Sequence, residues 1–252
     1  MNTIILETKN LIKFFGDVLV LDGVNIGVKR NSTTLIIGPN GSGKTTLINV
    51  ITGFYPATSG QIIFEGEDIT KKRPYQIYEL GIVRTFQIPQ PLKKLTVLEN
   101  LLIAQKHIGE NAISALIYSK WEKFEEELVD KALKILEFLE IDHLWNENSY
   151  KLSGGQLKLL EVGRALMTEP KLIIMDEPIA GVSPALAHEI LNRITELKRR
   201  GITFLIVEHR LDIALKYVDY VYAMANGKVI AEGSGEEVVN NPQVVEVYIG
   251  GQ

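Results

Sequence analysis

The sequence Gly38-Pro39-Asn40-Gly41-Ser42-Gly43-Lys44-Thr45 matches the pattern G-x-x-x-x-G-K-[ST] at every defined position. The apolar run from Thr34 to Ile37 predicts a strand before it, and a helix is expected from Lys44 to a stop at Gly53. A glycine-rich turn with a solvated lysine is the alternative, but the flanking strand and helix favour a phosphate-binding loop. In such a loop, backbone N–H groups and the helix N-terminus bind phosphate oxygens. Lys44 would neutralise their charge, and the Thr45 hydroxyl would coordinate Mg²⁺.

A second motif places two carboxylates after an apolar run. Leu172 to Met175 precede Asp176 and Glu177. Such a run is typical of a buried parallel strand, and the carboxyl end of that strand is where an open α/β sheet presents ligand groups. Asp176 is therefore a candidate Mg²⁺ ligand, directly or through water, and Glu177 a candidate base for an attacking water. Alone, the two acids could equally end a strand in solvent, but a preceding phosphate loop favours the catalytic interpretation.

Composition restricts the classes of protein. Of the 252 residues, 46% are apolar, 23% are charged and none is cysteine, and the formal net charge is −4. We expect one large α/β domain or a core with an inserted subdomain, without disulfides or thiolate metal sites. Because the net charge is negative, the protein as a whole has no positive electrostatic field that would attract nucleic acid. Apolar runs are too short to span a bilayer, and the N-terminus lacks the basic start of a signal peptide, so other chains would have to make any membrane crossing.

The order of predicted elements indicates a parallel α/β core with an antiparallel start and a helical insertion. Residues of about 1–95 and 168–252 are assigned to the core, and about 96–167 to the insertion. The antiparallel start is expected to consist of short strands with turns at Gly16-Asp17 and Asp22-Gly23. In the insertion, apolar residues at helical spacing predict one face of an amphipathic helix: Phe124, Leu128, Ala132, Ile135 and Leu139.

Two further signals lie in the last third of the chain. Ser183 followed by Pro184 predicts a helix that begins with a serine cap. Asn226-Gly227 between two apolar runs predicts a hairpin turn.

The pentapeptide Leu152-Ser153-Gly154-Gly155-Gln156 narrows the class of nucleotide-binding protein. It resembles the LSGGQ signature of the ABC ATPase family without a departure, and it lies ahead of Asp176 and Glu177, as in that family. Ser153 and Gln156 also form a capping-box pattern, and the two glycines leave the helix N-terminus open to a phosphate. An ordinary capped helix is the alternative interpretation, and the order of the motifs disfavours it.

The resemblance implies a RecA-like phosphate-loop NTPase fold and an ATPase that uses ATP and Mg²⁺. Phe15 would stack on adenine, Gln87 would meet Mg²⁺ and the attacking water, and His209 would contact the γ-phosphate. Their alternatives are a core phenylalanine, a loop glutamine and a structural histidine. The resemblance assigns ATP binding to Phe15, Gly38, Pro39, Asn40, Gly41, Ser42, Gly43, Lys44, Thr45 and Thr46. It assigns the metal to Thr45, Gln87 and Asp176, and catalysis to Glu177, His209 and Gln87.

One segment departs from the family pattern. The family commonly has Ser-Ala-Leu-Asp after the two carboxylates, whereas this chain has Ala180-Gly181-Val182-Ser183. Serine and aspartate both cap helices, so we expect the cap before Pro184 to persist. A contact of that aspartate across a dimer is in doubt.

Other stretches resemble the ATPase subunit of branched-chain amino acid importers, the LivG-like type. They are Gly81 to Gln87, Leu95 to Asn100, Met175 to Val182 and Val247 to Gly250. The ATPases of urea and lipopolysaccharide transporters share parts of this pattern and remain alternatives.

The resemblance also implies partners and a location. Two ATPase subunits, identical or different, would close on ATP, with Ser153, Gly154 and Gly155 of one subunit facing the phosphate loop of the other. Transmembrane permeases would dock on the segment from Ile88 to Lys94, an extracytoplasmic binding protein would deliver substrate, and this chain would lie on the cytoplasmic face of the membrane.

Two other classes remain as alternatives. A soluble ABC ATPase acting on nucleic acid or ribosomes is disfavoured by the single cassette, and no basic tract is longer than the three residues of Lys71-Lys72-Arg73. A phosphate-loop kinase is disfavoured by the complete signature. We expect no nucleic acid partner.

Overall fold

The computed structural model of the chain describes residues 3–85, 91–105 and 118–249. The chain divides into two units, one formed by Met1–Gln87 with Lys171–Gln252 and the other by Ile88–Pro170. The first unit is therefore assembled from both ends of the chain. None of the helices within the described ranges is both long and apolar enough to cross a bilayer.

All the strands that the structure describes lie in the first unit. They are β1 (Ile4–Phe15), β2 (Val18–Lys29), β3 (Thr33–Ile37), β4 (Ser59–Phe64), β5 (Glu67–Asp68), β6 (Ile82–Thr85), β7 (Leu172–Asp176), β8 (Thr203–Val207), β9 (Tyr220–Ala225) and β10 (Lys228–Gly233). The helices are α1 (Lys44–Ile51) and α2 (Pro74–Glu79) in the first unit, α3 (Val97–Leu102), α4 (Tyr118–Phe138) and α5 (Gly154–Met167) in the second, and α6 (Pro184–Arg199), α7 (Leu211–Ala214), α8 (Gly235–Val239) and α9 (Pro242–Ile249) in the first again.

The antiparallel sheet has the strand order β2-β1-β4-β5. β1 and β2 are joined at Gly16-Asp17, which confirms that turn. The expectation of a second turn at Asp22-Gly23 is wrong, because these residues lie inside β2. There the pairing shifts from Leu11 opposite Val24 to Lys13 opposite Leu21, so β2 carries an extra residue, and Gly23 has a φ of +70°. Asp-Gly suits a bulge as well as a turn, and long-range pairing selects the bulge.

The second sheet has the order β10-β9-β3-β8-β7-β6. β6, β7, β8, β3 and β9 run parallel, and β10 returns antiparallel through the Asn226-Gly227 turn, which confirms the predicted hairpin. Every residue of β3, β7 and β8 is buried, which for β7 confirms the buried strand predicted from the apolar run before Asp176. The carboxyl ends of parallel strands share one edge, so the segments after β3, β7 and β8 emerge together.

Buried apolar side chains from both sheets and from α1 form one cluster, which includes Phe64, Leu47 and Met224. Tyr222 adds a polar tie between the sheets, because its hydroxyl accepts the N–H of Gly27 at 2.9 Å and donates to the carbonyl of Gly27 at 3.2 Å. Burial raises the pKa of Tyr222 to about 12, so this hydroxyl stays protonated. The cluster fixes the base of the loop that follows β3.

The second unit is helical where the structure describes it. Leu128, Ala132 and Leu139 are buried, as the predicted face of α4 requires. Gly163 of α5 faces that helix, and a methyl group there would lie 3.1 Å from the Leu139 side chain. The close approach of Gly163 to Ile135 of α4 and to Leu139 just beyond it therefore leaves little room for a side chain at this position.

Candidate active site

The loop between β3 and α1 is held by glycine conformations. Gly38, Gly41 and Gly43 have φ values of +149°, +80° and +102°. A Cβ on Gly38 would lie 2.2 Å from the carbonyl oxygen of Met224 on the neighbouring strand, so no other residue fits there. Gly43 caps α1 without a side chain, which leaves the N-terminus of the helix open toward the loop.

Lys44 is buried within this loop. Its Nζ donates to the carbonyl oxygens of Gly38 and Pro39 at 2.8 Å each. Burial lowers the pKa of Lys44, while the carboxylates of Glu177 and Asp176 oppose that shift. The ammonium group is therefore bonded to the loop and lies close enough to both acids to be influenced by their charge. α1 ends at Ile51, and Gly53 follows with a φ of +73°, so the predicted helix stop is confirmed.

Asp176 ends β7 and is 4% exposed. Burial raises the pKa of its carboxyl group, and the adjacent Arg84 guanidinium opposes the shift. Nη2 of Arg84 lies 3.3 Å from Oδ2 of Asp176, and Nη1 donates to the side chain of Asn49 on α1. The sequence motifs did not point to Arg84, although a charged residue among the apolar residues of β6 is a signal that could have revealed it.

Glu177 and His209 meet at the same edge of the sheet. Oε1 of Glu177 is 3.2 Å from Nε2 of His209, within hydrogen-bond reach. Glu177 has a φ of +52°, a conformation that is costly for a residue with a side chain. Its N–H donates to the carbonyl of Val207 at 2.9 Å, which ties the residue to the end of β8. The structure thus brings together the phosphate loop, Asp176, Glu177 and His209.

The remaining predicted residues fall in three places. Phe15 ends β1 with 41% of its surface exposed, and its ring lies edge-on to Tyr55 at 5.1 Å. Thr45 and Thr46 open α1, and Thr45 is exposed. Gln87 lies outside the described residues.

The signature segment lies in the second unit. Ser153 caps α5: its Oγ accepts the N–H of Gln156 at 3.3 Å, and the Gln156 side chain accepts the N–H of Ser153 at 2.9 Å. The predicted capping box is confirmed. A Cβ on Gly154 would meet nothing within 4 Å, so the start of this helix is open to a ligand or a partner.

Ser183 caps α6, as predicted, by accepting the N–H of Leu186 at 3.3 Å, and Pro184 is the first helical residue. The replacement of aspartate by serine therefore preserves the helix start.

Comparison with known proteins identifies the family. The model of the ABC transporter family matches residues 21–180, which include the phosphate loop, the signature and both carboxylates. The chain belongs to the ABC transporter ATP-binding family. A second model, described as branched-chain amino acid ATP-binding cassette transporter, matches residues 228–252 of this ABC ATPase.

Relatives cover nearly the whole ABC ATPase. It is 62% identical over 98% of its length to a protein of Archaeoglobus fulgidus named probable branched-chain amino acid transport ATP-binding protein LivG, of which 96% is covered. It is 60% identical to the protein of the same name in Methanocaldococcus jannaschii, with 98% of this chain and 97% of that one covered. A crystal structure of an ATP-binding cassette in its ADP conformation superposes with a TM-score of 0.87 at 59% identity, covering 98% of this chain and 99% of the other.

Proposed function

We propose that this chain is the ATP-hydrolysing subunit of an importer for branched-chain amino acids. The observation that carries the chemistry is the juxtaposition of Lys44, Asp176, Glu177 and His209 at one edge of the sheet. The printed names of both archaeal relatives and the match of the C-terminal residues support the substrate class.

The donors at this edge fit Mg²⁺. Thr45 offers an exposed hydroxyl and Asp176 a carboxylate, and hard oxygen ligands are those Mg²⁺ prefers. Within the described ranges, no group of three or more acidic, histidine or cysteine side chains could enclose a metal. This agrees with an ion that takes most of its ligands from phosphates and water. When bound, Mg²⁺ would neutralise charge on the phosphates.

The chain's own residues would divide the reaction among them. The glycine loop and Lys44 bind the β- and γ-phosphates, and Phe15 stacks on the adenine. Glu177 accepts the proton of the water that attacks the γ-phosphorus, while the bond to the ADP oxygen breaks and phosphate leaves. His209, 3.2 Å from Glu177, orients that carboxylate and contacts the γ-phosphate.

From the mechanism of the ABC family we infer that this chain works with a second ATPase subunit and with permease subunits. A second ATPase subunit would contribute the segment from Leu152 to Gln156 to the bound ATP. Permease subunits would dock on the segment from Ile88 to Lys94, of which Ile88 to Gln90 lie outside the described residues. The chain would then work on the cytoplasmic face of the membrane and contact the binding protein only indirectly.

Substitution of Glu177 by glutamine tests the chemistry. The amide keeps the shape but accepts no proton, so ATP hydrolysis should fall by about 10²–10⁴-fold, the usual contribution of a positioned base. ATP binding should persist, because the phosphate loop is unchanged. Glu236 is an exposed acid at the start of α8. Its substitution by glutamine is the control and should leave the rate of ATP hydrolysis unchanged. Full hydrolysis by the Glu177→Gln variant would refute the assignment of the base.

Uptake by the assembled complex tests the substrate class. When the chain is reconstituted with its permeases and binding protein, labelled leucine, isoleucine or valine should enter vesicles in an ATP-dependent manner. Uptake of urea or export of lipopolysaccharide instead would overturn the substrate proposal while leaving the ATPase chemistry intact.

A further inference from the structure

Glu208 is a carboxylate with 1% of its surface exposed, and the reaction described above gives it no role. A buried charge is costly unless strong hydrogen bonds satisfy it. Here the donors are backbone N–H groups. Oε1 accepts the N–H of Ile179 at 2.8 Å, and Oε2 accepts the N–H of His209 at 3.0 Å and, at a longer 3.4 Å, that of Arg210.

These donors come from two different segments. Ile179 belongs to the segment after β7, two residues beyond Glu177, and its side chain is fully buried. His209 and Arg210 belong to the segment after β8. One carboxylate therefore joins the loop that carries the proposed base to the loop that carries the histidine.

Arg210 makes a second connection between the same loops. Its Nη1 donates to the carbonyl oxygen of Val182 at 3.0 Å. The two neighbours of His209 along the chain thus both reach across to the segment that follows Glu177. Between them, the backbone of His209 is fixed relative to that segment.

The geometry at Glu177 requires such support. Its φ of +52° persists only where surrounding contacts hold it, and its carboxylate lies 3.2 Å from the His209 ring. We propose that Glu208, assisted by Arg210, is a positioning residue that holds the His209 ring and the Glu177 carboxylate in the relative position that hydrolysis requires. This inference rests on the proposed function for the roles of those two residues.

Glu208→Gln is the primary variant. The amide has nearly the same volume, but its NH₂ group would face a backbone N–H donor, so one of the two connections is lost. Because small misplacements of reacting groups cost up to about 100-fold in rate, kcat for ATP should fall by roughly 10- to 100-fold while KM stays near its original value. Arg210→Met is the second variant. Arg210 is only half-buried, so its replacement is less harmful to folding, and this variant should also lower kcat.

A spectroscopic readout separates positioning from general stability. The chain has four histidines, and the ring nitrogen signals of His209 can be assigned by comparison with His209→Gln. In both variants the His209 signals should shift while those of the other histidines stay in place. Tyr222→Phe is the matched control: it removes the two hydrogen bonds to Gly27 and lowers Tm, but it should change neither kcat nor the His209 signals.

The outcomes are distinct. If Glu208→Gln lowers only Tm, with kcat measured well below Tm and the His209 signals unchanged, Glu208 serves folding alone and the inference is overturned. If Glu208→Gln does not fold, an Arg210→Met variant with unchanged kcat and unchanged signals overturns it equally. If the unaltered protein hydrolyses no ATP, the proposed function fails, and the His209 signals still decide whether Glu208 positions that ring.

Discussion

At the scale of single residues, the pair of Arg84 and Asp176 shows how charge is distributed beneath the phosphate loop. Arg84 is a cation on β6 whose side chain is 10% exposed, and Asp176 on β7 is 3% exposed by the same measure. The arginine offsets part of the cost of burying a carboxylate that the proposed metal requires. Removing one partner of a buried pair leaves the other charge without compensation.

We therefore expect Arg84→Met to destabilise the protein at neutral pH by roughly 3 kcal/mol. The folded-state pKa of Asp176 is already raised by burial, and loss of the guanidinium should raise it further. A raised carboxyl pKa favours the folded state at low pH, and this advantage is lost as the pH rises through the folded pKa. The stability deficit should thus be largest at pH 7 and shrink as the pH falls toward 4. Urea unfolding of both proteins across this range measures it, and an equal deficit at every pH would contradict the role assigned to the pair.

Phe15 is the second case at this scale. The Phe15 ring makes an edge contact with the ring of Tyr55, and Nζ of Lys13 lies 4.7 Å from the centroid of the Phe15 ring. Its exposure of 41% disfavours the alternative of a core phenylalanine.

Phe15→Ala should weaken ATP binding by about 1–3 kcal/mol, the range for stacking of a base on an aromatic side chain. Phe14→Ala is a matched control, because Phe14 is equally exposed at 40% but its side chain points to the other side of the strand. Titration of labelled ATP compares the two. Equal losses in both variants would contradict the stacking role of Phe15.

At the scale of elements, the segment before α3 combines a fixed backbone with an exposed apolar side chain. Leu92 is 43% exposed. Its N–H donates to the Asn100 side chain at 2.9 Å, and its carbonyl accepts the Ser149 hydroxyl at 3.1 Å. An exposed apolar side chain on a fixed backbone suits a docking surface, because the backbone would lose little further conformational entropy when a partner binds.

Substitution of Leu92 by alanine should therefore impair transport by the assembled complex while ATP hydrolysis by the isolated subunit stays intact. Leu133 of α4 is a leucine of similar exposure, at 38%. Its substitution by alanine is the control and should affect neither transport nor ATP hydrolysis. An equal loss of hydrolysis in the isolated Leu92→Ala subunit would place this segment in the catalytic scaffold instead.

At the scale of the whole molecule, the phosphate loop and the signature belong to different units. In the proposed mechanism each ATP is held by the loop of one subunit and the signature of another, so ATP binding favours association by mass action. A variant that binds ATP without hydrolysing it should accumulate in the associated state.

Glu177→Gln should accordingly shift from monomer to dimer with ATP and Mg²⁺, and not with ADP, which lacks the γ-phosphate that would bridge to Ser153. Light scattering after size exclusion reports the mass directly. Ser153→Arg in the same background is the control, because a bulky cation at the open start of α5 should block association. Absence of ATP-dependent association, with this chain alone and with a second ATPase subunit, would contradict the shared site.

Short-range rules in the sequence determined much of this protein. The strands before the phosphate loop and before Asp176 follow from continuous apolar runs, and the starts of α5 and α6 follow from serine caps whose partners lie three residues away. The ABC motifs were recognisable because phosphate binding constrains neighbouring residues along the chain.

Only the tertiary structure decided what depends on contacts between distant residues. The bulge at Gly23 exists because β2 pairs along its whole length with β1, whereas the local Asp-Gly sequence equally suits a turn. Arg84 has its partner 92 positions away and Glu208 has a donor 29 positions away, so no local sequence pattern identifies either of these contacts. Sequence alone predicted the groups that we propose touch the nucleotide, while the parallel strand register placed Arg84 beside Asp176 and Glu208 beside the segment that follows Glu177.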